Sequence, residues 1–98
     1  MDFRVVWSPS ARLDLKEIVE YIAEKDPSAA SRIGHSLIDA TKALSRFPRK
    51  GRVVPEFGID SLREIPLKHY RIVYRVFDEP KLIEVVRAWH SSRGTPEV

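Results

Sequence analysis

Two cap-plus-proline pairs constrain this chain more than any other feature. Ser8-Pro9 and Asp26-Pro27 each join a side-chain oxygen that can accept the orphan N–H groups of a first helical turn to a proline whose fixed φ suits the first helical position. The second pair arrives as the first helix ends, so helix follows helix almost at once and the two fold back as an antiparallel hairpin. Leu15, Ile18, Val19 and Ile22 recur at helical spacing, with Ala11 one turn earlier, and predict a helix from Pro9 to about Lys25. Glu17, Glu20 and Glu24 occupy its opposite side, and Leu13 stands among them, off the apolar stripe. The second stripe, Ala30, Ile33, Leu37, Ala40, Thr41 and Leu44, predicts a helix to about Arg46. Gly34 lies on its edge, where a glycine costs about 1 kcal/mol of helix propensity relative to alanine. Close approach to the first helix and a tolerated glycine without a role are both open at this point.

The rest reads as strand. Phe3 to Trp7 is a short β-branched and aromatic run. Residues 47–58 (FPRKGRVVPEFG) are punctuated by proline and glycine and read as a loop. Leu62 to Leu67, with Pro66 at an end or edge, Tyr70 to Phe77 and Leu82 to Trp89 follow, the last two joined by the turn Asp78 to Lys81. The order β-α-α-β-β-β predicts an α+β fold, a helical hairpin on one face of a mainly antiparallel sheet. A two- or four-residue turn sets Phe77 opposite Leu82, Arg75 opposite Glu84, Val73 opposite Val86 and Arg71 opposite Ala88, sharing one open face with His90. Tyr70, Ile72, Tyr74, Val76, Ile83, Val85 and Trp89 form the more apolar face, assigned to the core against the helices.

Composition narrows the chemistry. The 98 residues suit a single domain over 1–98, and a charge of +3 is compatible with an acidic partner or nucleic acid without proving either. There is no cysteine, which excludes disulfides and thiol catalysis. His35, His69 and His90 form no metal-ligand spacing, and no phosphate-binding loop, dinucleotide fingerprint or nucleophile elbow is present, so neither metal nor cofactor is expected. The N-terminal apolar run is too short for a signal peptide or membrane span, and the expected location is the cytoplasm.

Charged groups supply the candidate sites. Arg71 and Arg75 share a strand face: Arg75 reads as the cross-strand partner of Glu84, and Arg71, unpaired near the open end, as an anion contact. Arg49, Lys50 and Arg52 cluster around Gly51, either touching nucleic acid or an acidic partner or lying solvated. Pro55 and Glu56 are read as structural. Arg63, alternating with Ile65 and Leu67, reaches the core side at a sheet edge and needs a partner there. His90 and Arg93 close the last strand. Tyr70 and Tyr74 fall on the core face, where a buried ring with its hydroxyl at the rim is the commoner role.

In order and spacing, SARLDLKEIVEYI, SRFPRKGRVVPE, HYRIVYRV and VVRAWHSSR resemble the ParE/RelE family of toxins over nearly the whole chain. Trp89-His90-Ser91-Ser92-Arg93 is more similar to the ParE branch, and the tail HSSRGTPEV lacks the C-terminal tyrosine common among RNA-cleaving members. The ParE resemblance implies a binding inhibitor that traps the cleaved-DNA state of DNA gyrase, held in a heteromeric complex by a cognate antitoxin. Arg71, Arg75, His90, Arg93, Arg49, Lys50 and Arg52 would then be target contacts, and Leu13, Val73, Phe77 and Val86 the apolar surface an antitoxin covers. On the alternative reading, an mRNA endonuclease working on the ribosome, Arg71, His90 and Arg93 would be catalytic. A degenerate member that binds its antitoxin and poisons nothing is the third possibility.

Overall fold

A computed structural model describes residues 2–98. The elements are β1 (Arg4–Trp7), α1 (Pro9–Ala23), α2 (Pro27–Lys42), a 3-10 turn (Ala43–Ser45), β2 (Arg52–Val53), β3 (Leu62–Leu67), β4 (Tyr70–Phe77), β5 (Leu82–His90) and a second 3-10 turn (Ser91–Arg93). Both predicted caps form. The Ser8 Oγ accepts from the Ala11 N–H at 3.1 Å and the Asp26 carboxylate from the Ala29 N–H at 3.0 Å. The helices end earlier than expected, α1 at Ala23 and α2 at Lys42, where the chain tightens into the 3-10 turn. No described helix is long and apolar enough to cross a membrane.

The sheet runs β1-β5-β4-β3-β2, with β1 parallel to β5 and every other pair antiparallel. β2 corrects the reading of residues 47–58 as loop throughout: Arg52 and Val53 pair with Glu64 and Arg63 and give the sheet a fifth strand. The helical hairpin covers one face. Ala11, Leu37 and Leu44 meet Ile72, Tyr74, Val76, Ile83 and Val85, with Leu15, Ile18 and Ile33 packed around them. A Cβ on Gly34 would meet the Val19 Cγ2 at 3.1 Å, so the glycine serves close helix approach. Gly51 is tighter still. A Cβ there would lie 2.5 Å from the Glu64 carbonyl oxygen, and its N–H donates to the Tyr74 hydroxyl at 2.9 Å. Tyr74 is therefore a core tyrosine with a satisfied hydroxyl, and burial pushes that hydroxyl's pKa up.

The β4–β5 hairpin departs from its predicted register halfway along. Phe77 faces Leu82 and Arg75 faces Glu84 as expected, but a bulge between Val73 and Tyr74 sets Val73 opposite Arg87, leaving Val86 as the extra residue. Beyond it every pairing moves by one: Ile72 faces Ala88, Arg71 faces Trp89 and Tyr70 faces His90. The one-residue insertion exchanges faces. Trp89, expected against the helices, lies on the outer face, and His90, expected outside, shares the helix side with Tyr70. Val73 is corrected as well, because the outer face has its own small core. Val54, Leu62 and Val73 are buried there with Val86 against them.

Two stability predictions follow from this packing. Leu37→Ala should cost about 2–5 kcal/mol in chemical denaturation, as for other fully buried leucines. Gly51→Ala should destabilise by about 1–3 kcal/mol or more, because its added carbon meets backbone rather than a flexible tip, and should cost more than Gly34→Ala.

Candidate functional site

The outer face of β2, β3 and β4 is held by one buried carboxylate. Glu64, fully buried, accepts from the Arg52 Nε at 2.7 Å and from the Arg71 Nε at 2.6 Å. The two outer nitrogens of Arg71 clasp Glu56, in the turn after β2, at 2.8 and 2.6 Å. The charge-assisted, bidentate pair pulls the Glu56 pKa down to about 2, with Arg71 the largest cause. The expectation of an unpaired Arg71 is thus corrected: its side chain is 12% exposed and its donors are spent within the molecule. Glu56, read as structural, takes the two outer nitrogens and Glu64 the Nε.

A second arrangement closes the free edge of β5. β1 pairs with β5 only as far as Val85, so the next stretch of backbone lacks a strand neighbour. Asp14, buried on α1, takes that place. It accepts from the Ala88 N–H at 3.0 Å and from the Arg87 guanidinium at 2.7 and 2.8 Å. Arg87 also lies 4.9 Å from the Trp89 ring centroid, and Arg93 lies over the same ring at 3.8 Å. The Trp89 indole N–H donates to the Gly94 carbonyl at 3.1 Å. On the helix side, His90 meets Tyr70 edge-on at 5.2 Å, and its Nδ1 accepts from the Ser92 N–H at 3.2 Å. A depression there is lined by Glu17, Tyr21, Tyr70, His90 and Arg93.

The other candidates are dispersed. Arg49 grips Asp78 with two nitrogens at 2.9 Å, which lowers that carboxylate's pKa, and reaches Asp60 at 3.2 Å, whose pKa is lowered by Arg63 first and Arg49 second. Arg63 is absorbed structurally, by the Asp60 and Gly51 carbonyls and the Asp60 carboxylate. Arg75 faces Glu84 in register without an ion pair among the described residues. Leu13 and Phe77 are exposed, at 54% and 38%, and Val86 is half-buried. Sequence reasoning passed over Glu64, Asp14 and Arg87. One signal existed for Asp14, an acid turning up one helical turn beyond Ala11 on the buried side. Glu64 and Arg87 carried none.

In chemical terms, Arg71 and His90 lie on opposite faces of the sheet and do not converge on one reacting group. Removing a carboxylate tests the structure around them. Asp14→Ala leaves a largely buried guanidinium and a backbone N–H without their acceptor and should cost about 3–5 kcal/mol in urea denaturation. Glu56 sets an acid-side signature. Its folded pKa of about 2 lies below the ordinary 4.5, so its pairing stabilises above pH 4.5 and is lost as pH falls toward 2. Stability of Glu56→Gln should therefore fall less steeply across that window than that of the parent chain. Equal slopes would mean that the Arg71 pair contributes nothing.

The family described as ParE toxin of type II toxin-antitoxin system, parDE, matches residues 5–94. Toxin RelE1 of Caulobacter vibrioides is 33% identical over 94 residues, covering 92% of this chain and 95% of that protein. Toxin RelE2 of the same organism is 35% identical over 91 residues, covering 92% and 97%. Among solved structures, the chromosomal ParDE toxin–antitoxin system from P. aeruginosa superposes with a TM-score of 0.74 at 20% identity, over 90% of this chain and 95% of that one. The toxin–antitoxin complex RelBE2 from Mycobacterium tuberculosis gives 0.68 at 24% identity, over 92% and 99%. These last two establish the shared fold of two helices on a five-stranded mixed sheet. The chain belongs to the ParE family of type II toxin–antitoxin toxins, within the ParE/RelE superfamily.

Proposed function

We propose that this toxin acts as a binding inhibitor of DNA gyrase, holding the enzyme's cleaved-DNA state, and that a cognate antitoxin neutralises it in a heteromeric cytoplasmic complex. One observation carries the reading. An endonuclease needs a proton acceptor, a proton donor and a cation around a single phosphate. Here Arg71 is clasped by Glu56 and Glu64 on one face of the sheet, while His90 lies on the other. A poison that stabilises a protein–DNA state through complementary contacts needs surface charge and shape and no titrating group. The match to the ParE family supports the same target. The antitoxin proposal has support in the solved relatives, described as toxin–antitoxin systems or complexes, and in the apolar side chains left exposed, Leu13 and Phe77 with Val86 beside them. Val73, which is buried, leaves that set.

Ribosome-dependent mRNA cleavage is the second reading. In its favour, the depression beside α1 brings His90, Arg93 and Tyr70 together, and the two Caulobacter relatives carry the RelE name. One culture separates the two. On induction, DNA breaks should accumulate while bulk mRNA stays intact, and purified toxin should inhibit supercoiling by gyrase. His90→Ala should change toxicity by less than about tenfold, against the roughly 10²–10⁴-fold loss of a general acid or base, and Arg93→Glu should damage it more. Rapid mRNA cleavage with undamaged DNA would overturn the gyrase reading.

A further inference from the structure

The basic run Arg49-Lys50-Gly51-Arg52 comes apart in three dimensions, and a different set of cations gathers at the same end of the molecule. Arg49 and Arg63 with Asp60 and Asp78 close a neutral quartet, and Arg52 is matched by Glu64. Arg46, Lys50 and Lys81 are exposed, and none has a carboxylate within 4.0 Å among the described residues. Backbone bonds draw them together. The Phe3 N–H donates to the Ser45 carbonyl at 2.8 Å, the Arg4 N–H to the Lys81 carbonyl at 2.9 Å and the Lys50 N–H to the Phe47 carbonyl at 3.0 Å. Two rings stand among these cations. Phe47 is 60% exposed with the Arg46 guanidinium 5.8 Å from its centroid, and the Lys81 ammonium lies 5.1 Å from that of Phe3. Arg46, Phe47, Pro48 and Lys50 line one shallow depression. Of the acids nearby, Asp78 is engaged by Arg49 and Asp39 by Lys42, while Asp2 and Glu79 are exposed and form no ion pair among the described residues.

Spaced cations beside an exposed ring fit a polymer that repeats both an anion and a planar ring. An acidic peptide would satisfy the charges and leave Phe47 without a partner; a base-paired duplex would offer phosphates and keep its base faces stacked. We infer that this end of the toxin binds an unpaired nucleic-acid strand, with Arg46, Lys50 and Lys81 on backbone phosphates and Phe47 stacked on a base. The contact goes beyond the gyrase reading. It requires only the free chain, and either can hold without the other.

Fluorescence anisotropy tests it, with short labelled single strands of DNA and of RNA, a duplex of the same sequence and polyglutamate as probes. A single strand, of either sugar, should bind more tightly than the duplex, and the DNA and RNA arms report which is preferred. Arg46→Glu with Lys50→Glu should weaken binding at least about tenfold. It should also flatten the dependence of log affinity on log salt by about 1.4, the equivalent of two single-strand phosphate contacts. Phe47→Ala should weaken binding and leave that slope alone. Lys25→Glu with Arg32→Glu, exposed on the hairpin and changing net charge equally, should have little effect. If the double charge reversal lowers thermal stability, Lys50→Gln and Lys81→Gln give the same readout without reversing charge. Equal losses in both charge-reversal pairs, an unaltered Phe47→Ala, or binding of polyglutamate but of no oligonucleotide would each overturn the proposal.

Discussion

Between the pairs Tyr74–Val85 and Val73–Arg87 the last strand carries one residue more than its neighbour, and the surface chemistry of this toxin follows from that insertion. Up to Val85, β5 is pinned on both sides, by β4 and by the parallel β1. Where β1 gives way to α1, Ser8 still donates its hydroxyl to the Val86 carbonyl at 3.2 Å, and past that point the strand is free to slip. Val86 keeps its place against the small outer core, while the bulge turns Arg87 toward Asp14 and carries Trp89 and His90 to the faces opposite those a regular hairpin would give them. Arg71 and His90 are separated by the same step.

Part of the charge in this molecule is spent internally. Arg49, Arg52, Arg63, Arg71 and Arg87 each close on carboxylates brought from elsewhere in the chain, with Glu64 and Asp14 buried to receive them. Such pairs fix geometry more than they add stability, since the desolvation of both partners offsets much of the attraction. Here they fasten three otherwise weak places: the two-residue strand β2, the turn after it, and the edge of β5 that β1 leaves uncovered. Of 17 basic residues, these five form a locked set that holds the sheet, and the larger remainder stays outside it.

The surface of this toxin is sorted in this way. Structural ion pairs make one side of the sheet largely self-satisfied, while the exposed Leu13 and Phe77 and the cations Arg46, Lys50 and Lys81, which form no ion pair among the described residues, lie outside the locked set.

The sequence by itself determined the helical hairpin, the succession of strands and the family. Caps, prolines and helical periodicity are local, and the energies that enforce them act within a turn or two of the chain. It also placed Leu37 and Leu44 in the core, Tyr74 beneath the helices and Arg75 opposite Glu84, because each depends on periodicity or on a turn of known length. Tertiary structure decided the rest. The strand at Arg52 and Val53 is too short to carry a pattern and exists because β3 offers it an edge. The bulge at Val86 answers to the end of β1, far away in sequence. The pairing of Arg71 with Glu56 and Glu64, and of Arg87 with Asp14, joins residues whose spacing encodes nothing, since an arginine reads the same whether solvent or a buried carboxylate awaits it. Only the folded chain brings that carboxylate within hydrogen-bond reach.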